Sequence, residues 1–348
     1  MKSIVVLDQR ALPHAVVHQS IEHVDAAADA IRSMVVRGAP LIGAVGAYGL
    51  ALALERDASD AGLSTAHAML DATRPTAVNL RWALDRVRAR VAALPSDARA
   101  GAAWQEADTI YTEDVALNAA LGKHGLALLR DLVAQRDGRA INVMTHCNAG
   151  ALATCGFGTA TAPLFLAHAE RIPLHVWVSE TRPRMQGASL TAWELRQHGI
   201  PHTLVVDSAS ALLMRRGDVD AVIVGADRVA ANGDVCNKIG TYGKALAARD
   251  NAVPFWVALP SPTIDWTVDT GDQIPIEARA ADEVLRIAGR ADDGTAARVS
   301  IATDGTPALN YAFDVTPARL VSRYITERGI AVDGRSLHAL HRNGSRGS

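Results

Sequence analysis

A thiol and a carboxylate stand where two short apolar runs stop. Cys147 follows Ile141-Asn142-Val143-Met144-Thr145-His146 and precedes Asn148-Ala149-Gly150. A strand ending there carries the sulfur to its mouth, followed by a turn whose amides can face a ligand. Asp227 follows Val222-Ile223-Val224-Gly225-Ala226, which reads as a strand buried on both faces. Burial at that end raises a carboxyl pKa and keeps a proton available near neutral pH. A thiol's reactivity depends on nearby positive charge, and His146 is a neighbour that could tune it. Each residue also has a plainer reading: Cys147 as inert packing, Asp227 as a partner of Arg228 or a turn cap. Cys155 and Cys236 read as packing or supporting residues.

Around this pair lie segments suited to an anion. Arg37-Gly38-Ala39-Pro40 stands before an apolar helix, where backbone amides and a guanidinium can together hold a phosphate. Taken alone it reads more readily as a connecting loop with a surface arginine. Arg74-Pro75-Thr76-Ala77-Val78-Asn79-Leu80 repeats the theme, with Thr76 as the helix cap. Glu180-Thr181-Arg182-Pro183-Arg184-Met185-Gln186-Gly187 gathers charged and amide donors into one turn soon after a strand. Asn237-Lys238 reads as the opening of a helix, offering a cation and amides at its positive end. No segment fits a P-loop or a GxGxxG fingerprint. The scattered histidines have no metal-ligand spacing, so no metal is expected.

The elements that must position these residues fall into two regimes. From about Val24 to Val133 the chain is alanine-rich with apolar residues three and four apart, as in Leu80, Ala83, Leu84 and Val87, which predicts helices. After Arg139, β-rich runs alternate with helical ones, the pattern of a parallel sheet with crossover helices. The predicted strands are Ile141 to His146, Leu174 to Val178, Thr203 to Val206, Ala221 to Val224 and Phe255 to Leu259, with helices such as Leu190 to His198 and Lys238 to Arg249 between them. The expected class is α/β, a helical N-terminal domain (1–137) followed by a Rossmann-like domain with a mostly parallel sheet (138–337). The polar stretch 338–348 has no apolar period and reads as a disordered tail.

At 348 residues the chain is long enough for two such domains. A net charge of −2 and a pI near 6.6 argue against a nucleic-acid partner. Three widely spaced cysteines without a secretory signal point to a reducing cytoplasm. The longest apolar run, Pro40 to Leu54, is broken by glycines and too short to cross a bilayer. It reads as a buried helix, and no membrane partner is expected.

Taken together, these motifs resemble the methylthioribose-1-phosphate isomerase family, within the wider family that includes the α, β and δ regulatory subunits of eukaryotic translation initiation factor 2B. The resemblance runs from Leu7-Asp8-Gln9-Arg10 to about Gly329. It takes in the Arg37, Arg74, Cys147, Asp227 and Asn237 segments, with Ile239-Gly240-Thr241-Tyr242 and Phe313-Asp314-Val315-Thr316-Pro317. It implies an aldose-ketose isomerase that converts 5-methylthioribose 1-phosphate to 5-methylthioribulose 1-phosphate in methionine salvage. Cys147 and Asp227 become the catalytic pair, and Arg37, Gly38, Ala39, Arg74, Gln186, Asn237 and Lys238 bind the sugar phosphate. A cytoplasmic homodimer without cofactor is the implied assembly. The alternatives are isomerases of 5-deoxyribose 1-phosphate or ribose 1,5-bisphosphate, and a non-catalytic regulatory subunit.

Overall fold

The computed structural model describes residues 2–74 and 77–342. It begins with an antiparallel hairpin, β1 (Ile4–Leu7) and β2 (His18–Ile21), a pairing for which the helical periodicity that follows gives no hint. Five helices then form where alanines and spaced apolar residues predict them: α1 (Val24–Arg32), α2 (Ala39–Leu54), α3 (Asp60–Asp71), α4 (Val78–Val91) and α5 (Ser96–Gln135). Thr76, read as a helix cap, lies outside the described residues, as does Pro75.

Helix α2 is apolar on nearly every face and is therefore the one the others surround. Gly46 allows the close approach of α4: a Cβ there would sit 2.4 Å from Leu80 Cδ1. The α5 helix is 40 residues long, about 60 Å at the usual rise. Its first part packs Ala102, Ala103, Ala107 and Ile110 into the helical core, and its later part sends Leu121, Leu126 and Leu129 under the sheet that follows. One rigid rod thus fixes both halves of the fold to each other.

The second half alternates strand and helix: β3 (Ile141–His146), α6 (Ala162–Ala169), β4 (Leu174–Ser179), α7 (Ala192–Gln197), β5 (His202–Val205), α8 (Ala209–Arg215) and β6 (Ala221–Val224). After β6 come a hairpin, β7 (Arg228–Ala230) and β8 (Val235–Lys238), then α9 (Thr241–Asp250), β9 (Phe255–Ala258) and the short β10 (Ile264–Asp265). Beyond these lie α10 (Asp282–Leu285), an outlying hairpin of β11 (Arg286–Arg290) and β12 (Ala296–Ser300), then β13 (Phe313–Thr316), β14 (Arg323–Thr326), β15 (Gly329–Ala331) and α11 (Gly334–Arg342). The main sheet has seven strands in the order β15-β14-β9-β6-β3-β4-β5, parallel except for β15. Numbered from β3, its parallel strands run 3-2-1-4-5-6, a doubly wound sheet whose order reverses between β3 and β6. The α/β class and the five expected strands are borne out, each within a residue or two of the predicted ends.

Three local expectations differ. Asn237 and Lys238 end strand β8 rather than opening a helix, which starts at Thr241. The cause is the Asn232-Gly233 turn: Gly233, at φ 93°, folds β8 back on β7, and β13 pairs with its other edge, so the backbone is committed to two ladders. The predicted helix Leu190 to His198 is split, a π-turn over Gly187–Thr191 preceding α7. His338 to Arg342 are helical, where the polar composition predicts a disordered tail, because Leu337 and Leu340 give α11 an apolar side that packs on the sheet. Among the described residues, no helix is long and apolar enough to cross a membrane.

Candidate active site

Cys147 is the first residue past β3 and adopts φ 61°, a left-handed backbone that costs a non-glycine residue energy and persists only where neighbours hold it. Both sides of its peptide are held. Its amide donates to Thr181 Oγ1 at 2.8 Å, and its carbonyl accepts from Thr191 Oγ1 at 2.6 Å. Thr191 belongs to the π-turn, which explains the irregular start of α7: the wide turn brings a hydroxyl onto the cysteine's backbone. His146 is fully buried, and its Nε2 donates to the Ile239 carbonyl at 2.8 Å. Burial, with Lys244 nearby, pushes its pKa down to about 3. The ring is therefore neutral at physiological pH and supplies no positive charge to the sulfur.

Asp227 lies just beyond β6, the strand beside β3, and its amide donates to the Cys236 carbonyl at 3.0 Å. Burial raises its carboxyl pKa, opposed by Lys238, Arg37 and Arg74 and reinforced by Glu277. Arg228 pairs with Asp265 at 3.7 Å rather than with its chain neighbour Asp227. Cys236 is buried, with its thiol pushed up to about 12 by burial and by the Asp227 charge. Cys155 is likewise buried, its amide donating to Asp114 Oδ2 at 2.8 Å and its thiol pushed up by burial.

Facing this pair is a rim of donors. Gly38 caps the N-terminus of α2 at φ 98°, and a Cβ there would lie 2.4 Å from the Ala153 carbonyl oxygen, so no other residue fits without displacing the backbone. Arg37 donates from Nη1 to Asn148 Oδ1 at 2.6 Å and from Nη2 to the Asn148 carbonyl at 2.7 Å. Arg74 reaches Glu277 Oε2 at 3.4 Å; burial lowers its pKa against the opposing pull of Glu277 and Asp227. Its Nε, and the Oε1 of Gln186, are buried without a partner among the described residues. Such groups are usually satisfied by something bound. Lys238 Nζ donates to the Ala312 carbonyl at 3.0 Å and lies 4.3 Å from the Phe313 ring centre, its pKa lowered by burial. Asn237 Nδ2 donates to Thr241 Oγ1 at 3.1 Å.

All the site residues expected from sequence, Arg37, Gly38, Ala39, Arg74, Cys147, Gln186, Asp227, Asn237 and Lys238, line one cleft of about 670 Å³. It opens where the strand order reverses, the usual place for a ligand in an open α/β sheet. Thr159, Thr263 and Phe313 also line it, and Thr181, Thr191 and Glu194 brace it from behind. Thr181 and Phe313 belong to segments already singled out in the sequence, whereas Thr159, Thr191, Glu194 and Thr263 stand outside every segment read for chemistry and meet the site only through the tertiary fold. Among the described residues, no three His, Cys, Asp or Glu side chains are grouped to hold a metal ion.

Residues 35–332 match the model of the initiation factor 2 subunit family. A methylthioribose-1-phosphate isomerase from Rhodospirillum rubrum is 58% identical over 334 residues, covering 94% of this chain and 86% of its own. The crystal structure of 5-methylthioribose 1-phosphate isomerase from Pyrococcus horikoshii superposes with a TM-score of 0.84 at 39% identity, covering 98% of this chain and 94% of that one. The translation initiation factor 2B delta subunit from A. fulgidus superposes with a TM-score of 0.77 at 36% identity, covering 95% and 94%. The cleft and these likenesses agree: the chain belongs to the methylthioribose-1-phosphate isomerases of the initiation factor 2 subunit family.

Proposed function

We propose that the chain converts 5-methylthioribose 1-phosphate to 5-methylthioribulose 1-phosphate in methionine salvage, with Asp227 as general acid and Cys147 as its partner. The observation that carries this reading is the convergence of a carboxyl group of raised pKa, a sulfur and several cations on one cleft. An aldose 1-phosphate carries its phosphate on the anomeric oxygen, so its ring cannot open to a free aldehyde. Acid must act on the ring oxygen instead. Asp227 gives its proton to that oxygen as the bond to C1 breaks. The C2 hydrogen then moves to C1 while the C2 hydroxyl gives its proton to the Asp227 carboxylate, which restores the acid, and becomes the ketone. Cys147 either takes the C2 hydrogen as a proton and returns one to C1, or flanks the hydrogen as it migrates as hydride. Arg37, Arg74, Gln186, Asn237, Lys238 and the amides at Gly38 and Ala39 hold the phosphate.

The choice of sugar rests on an annex of about 440 Å³ that shares Gly38, Arg74, Asp227 and Phe313 with the cleft. Ile42, Ala77, Cys236, Ile274 and Pro275 give it a largely apolar wall, which suits a thioether better than a second phosphate. Arg228 also faces it, with its Nε buried and unpartnered among the described residues, but its charge is matched by Asp265 at 3.7 Å, so the annex offers no net cation for a second phosphate. Ribose 1,5-bisphosphate is thus the poorer substrate in this reading. Side-by-side rates on the methylthio, 5-deoxy and bisphosphate sugars test it, and a preference for the bisphosphate refutes the assignment.

The assembly we infer is a homodimer. Edge strand β5, the residue that follows it and helix α8 expose Leu204, Val206 and Leu212, an apolar group suited to a second copy. Light scattering of the purified chain checks this, and a monomer at micromolar concentration contradicts it.

A further inference from the structure

Helix α7 carries Glu194, only 3% exposed, behind the Cys147 turn. Its Oε2 accepts from Asn148 Nδ2 at 2.5 Å and its Oε1 from the Leu152 amide at 2.9 Å. Gly150 leaves room for it: a Cβ there would come within 2.0 Å of Oε2. The opposite end of the same Asn148 amide, Oδ1, accepts from Arg37. Asn148 is therefore clamped between a carboxylate and a guanidinium.

That clamp has a polarity. An amide side chain has a donor end and an acceptor end, an ionised carboxylate only accepts and a guanidinium only donates, so a single orientation of Asn148 satisfies both neighbours. We propose that Glu194 is a positioning residue for phosphate binding: by fixing the orientation of Asn148 it anchors Arg37, leaving the three N–H groups not spent on Asn148 free to face the substrate phosphate. This deepens the reading of the cleft as a sugar-phosphate site and rests on it.

Glutamine at position 194 breaks the polarity while keeping the shape. One orientation of its amide turns NH₂ toward Asn148 Nδ2 and the other turns NH₂ toward the Leu152 amide, so a donor faces a donor either way. Only Thr191 Oγ1, at 3.1 Å, then still accepts from Asn148 Nδ2, so the amide loses its shorter, charged anchor and Arg37 keeps a fixed partner only at the Asn148 backbone carbonyl.

The test is a double-mutant cycle on the full chain at pH 8, above the value of about 7 to which burial raises the Glu194 carboxyl, with Glu194→Gln, Arg37→Met and the combination, read by steady-state kinetics on 5-methylthioribose 1-phosphate and by calorimetric binding of inorganic phosphate. Relay through Arg37 predicts that Glu194→Gln raises KM and the phosphate Kd by about tenfold with kcat within about threefold, and adds less than about twofold once Arg37 is gone. Equal factors in both backgrounds, or a fall in kcat with binding unchanged, overturn it, because a mere brace of the fold is additive with Arg37. If Glu194→Gln does not fold, Asn148→Ser takes its place in the same cycle with the same criteria. A wild-type chain without turnover on this sugar refutes the proposed reaction, and the phosphate cycle then still decides the role of Glu194.

Discussion

Cys147 and Asp227 stand just beyond the carboxyl ends of neighbouring parallel strands, β3 and β6, whose register pairs Val143 with Ala221 and Met144 with Val222. The strands leave the sheet side by side, so a thiol and a carboxyl separated by eighty positions in the chain share one cleft.

Replacing either member should therefore remove turnover and spare binding. For Asp227→Asn and Cys147→Ser, kcat is expected to fall by roughly two to four orders of magnitude, with inorganic phosphate still bound within about threefold of wild type. Calorimetry beside steady-state kinetics checks both halves. A variant that keeps wild-type kcat strips its residue of the role.

Arg74 should show the reverse pattern. Its guanidinium is mostly buried beside Glu277, with Nε unpartnered among the described residues, and in the proposed reading it meets the sugar phosphate. Arg74→Ala is expected to raise the KM for the sugar phosphate by at least about tenfold, since it removes a charge-assisted bond. Unchanged affinity would mean that the phosphate lies elsewhere in the cleft.

Deuterium at C2 of the substrate separates the two routes open to Cys147. Retention of the label at C1 of the ketose marks hydride migration, and loss to solvent marks removal as a proton. Proton NMR of the product reads the difference directly.

Glu194 makes stability depend on pH with a definite sign. Burial raises its carboxyl from 4.5 to about 7, against the pull of the Leu152 amide, Asn148 and Arg37. The folded chain then binds the proton more tightly than the unfolded one. The stability this contributes is complete below the unfolded value and declines as pH rises through that window, by about 3 kcal/mol at most. Glu194→Gln cannot ionise and loses the decline. Denaturant melts of both chains from pH 4.5 to 8 should show the variant gaining relative to the parent as pH rises, whereas parallel curves would argue that the Glu194 pKa is not raised.

Much of this was legible before any coordinates. The runs ending at His146 and Val224 are apolar, β-rich and bounded by turns, so strands and their exposed ends could be read directly. The Arg37-Gly38-Ala39-Pro40 segment likewise announced the start of α2. The sequence misleads where two signals overlap: Asn237-Lys238 stands close to a real helix start, but the Asn232-Gly233 turn just before it commits it to a strand. What was invisible was the support. Arg37 meets Asn148 across 111 positions and Glu194 meets Asn148 across 46, and nothing periodic links such partners. Arg37 reaches Asn148 because the long rod of α5 sets the helical half against the mouth of the sheet, and Glu194 reaches it because the π-turn over Gly187–Thr191 brings α7 against the Cys147 turn, tertiary facts that no local pattern carries.

The most direct test of the central claim is to incubate the purified chain with 5-methylthioribose 1-phosphate and follow the ketose by NMR, with Asp227→Asn run in parallel. The account predicts 5-methylthioribulose 1-phosphate from the wild-type chain and none above background from the variant. No ketose from the wild type, or equal ketose from both, would contradict it.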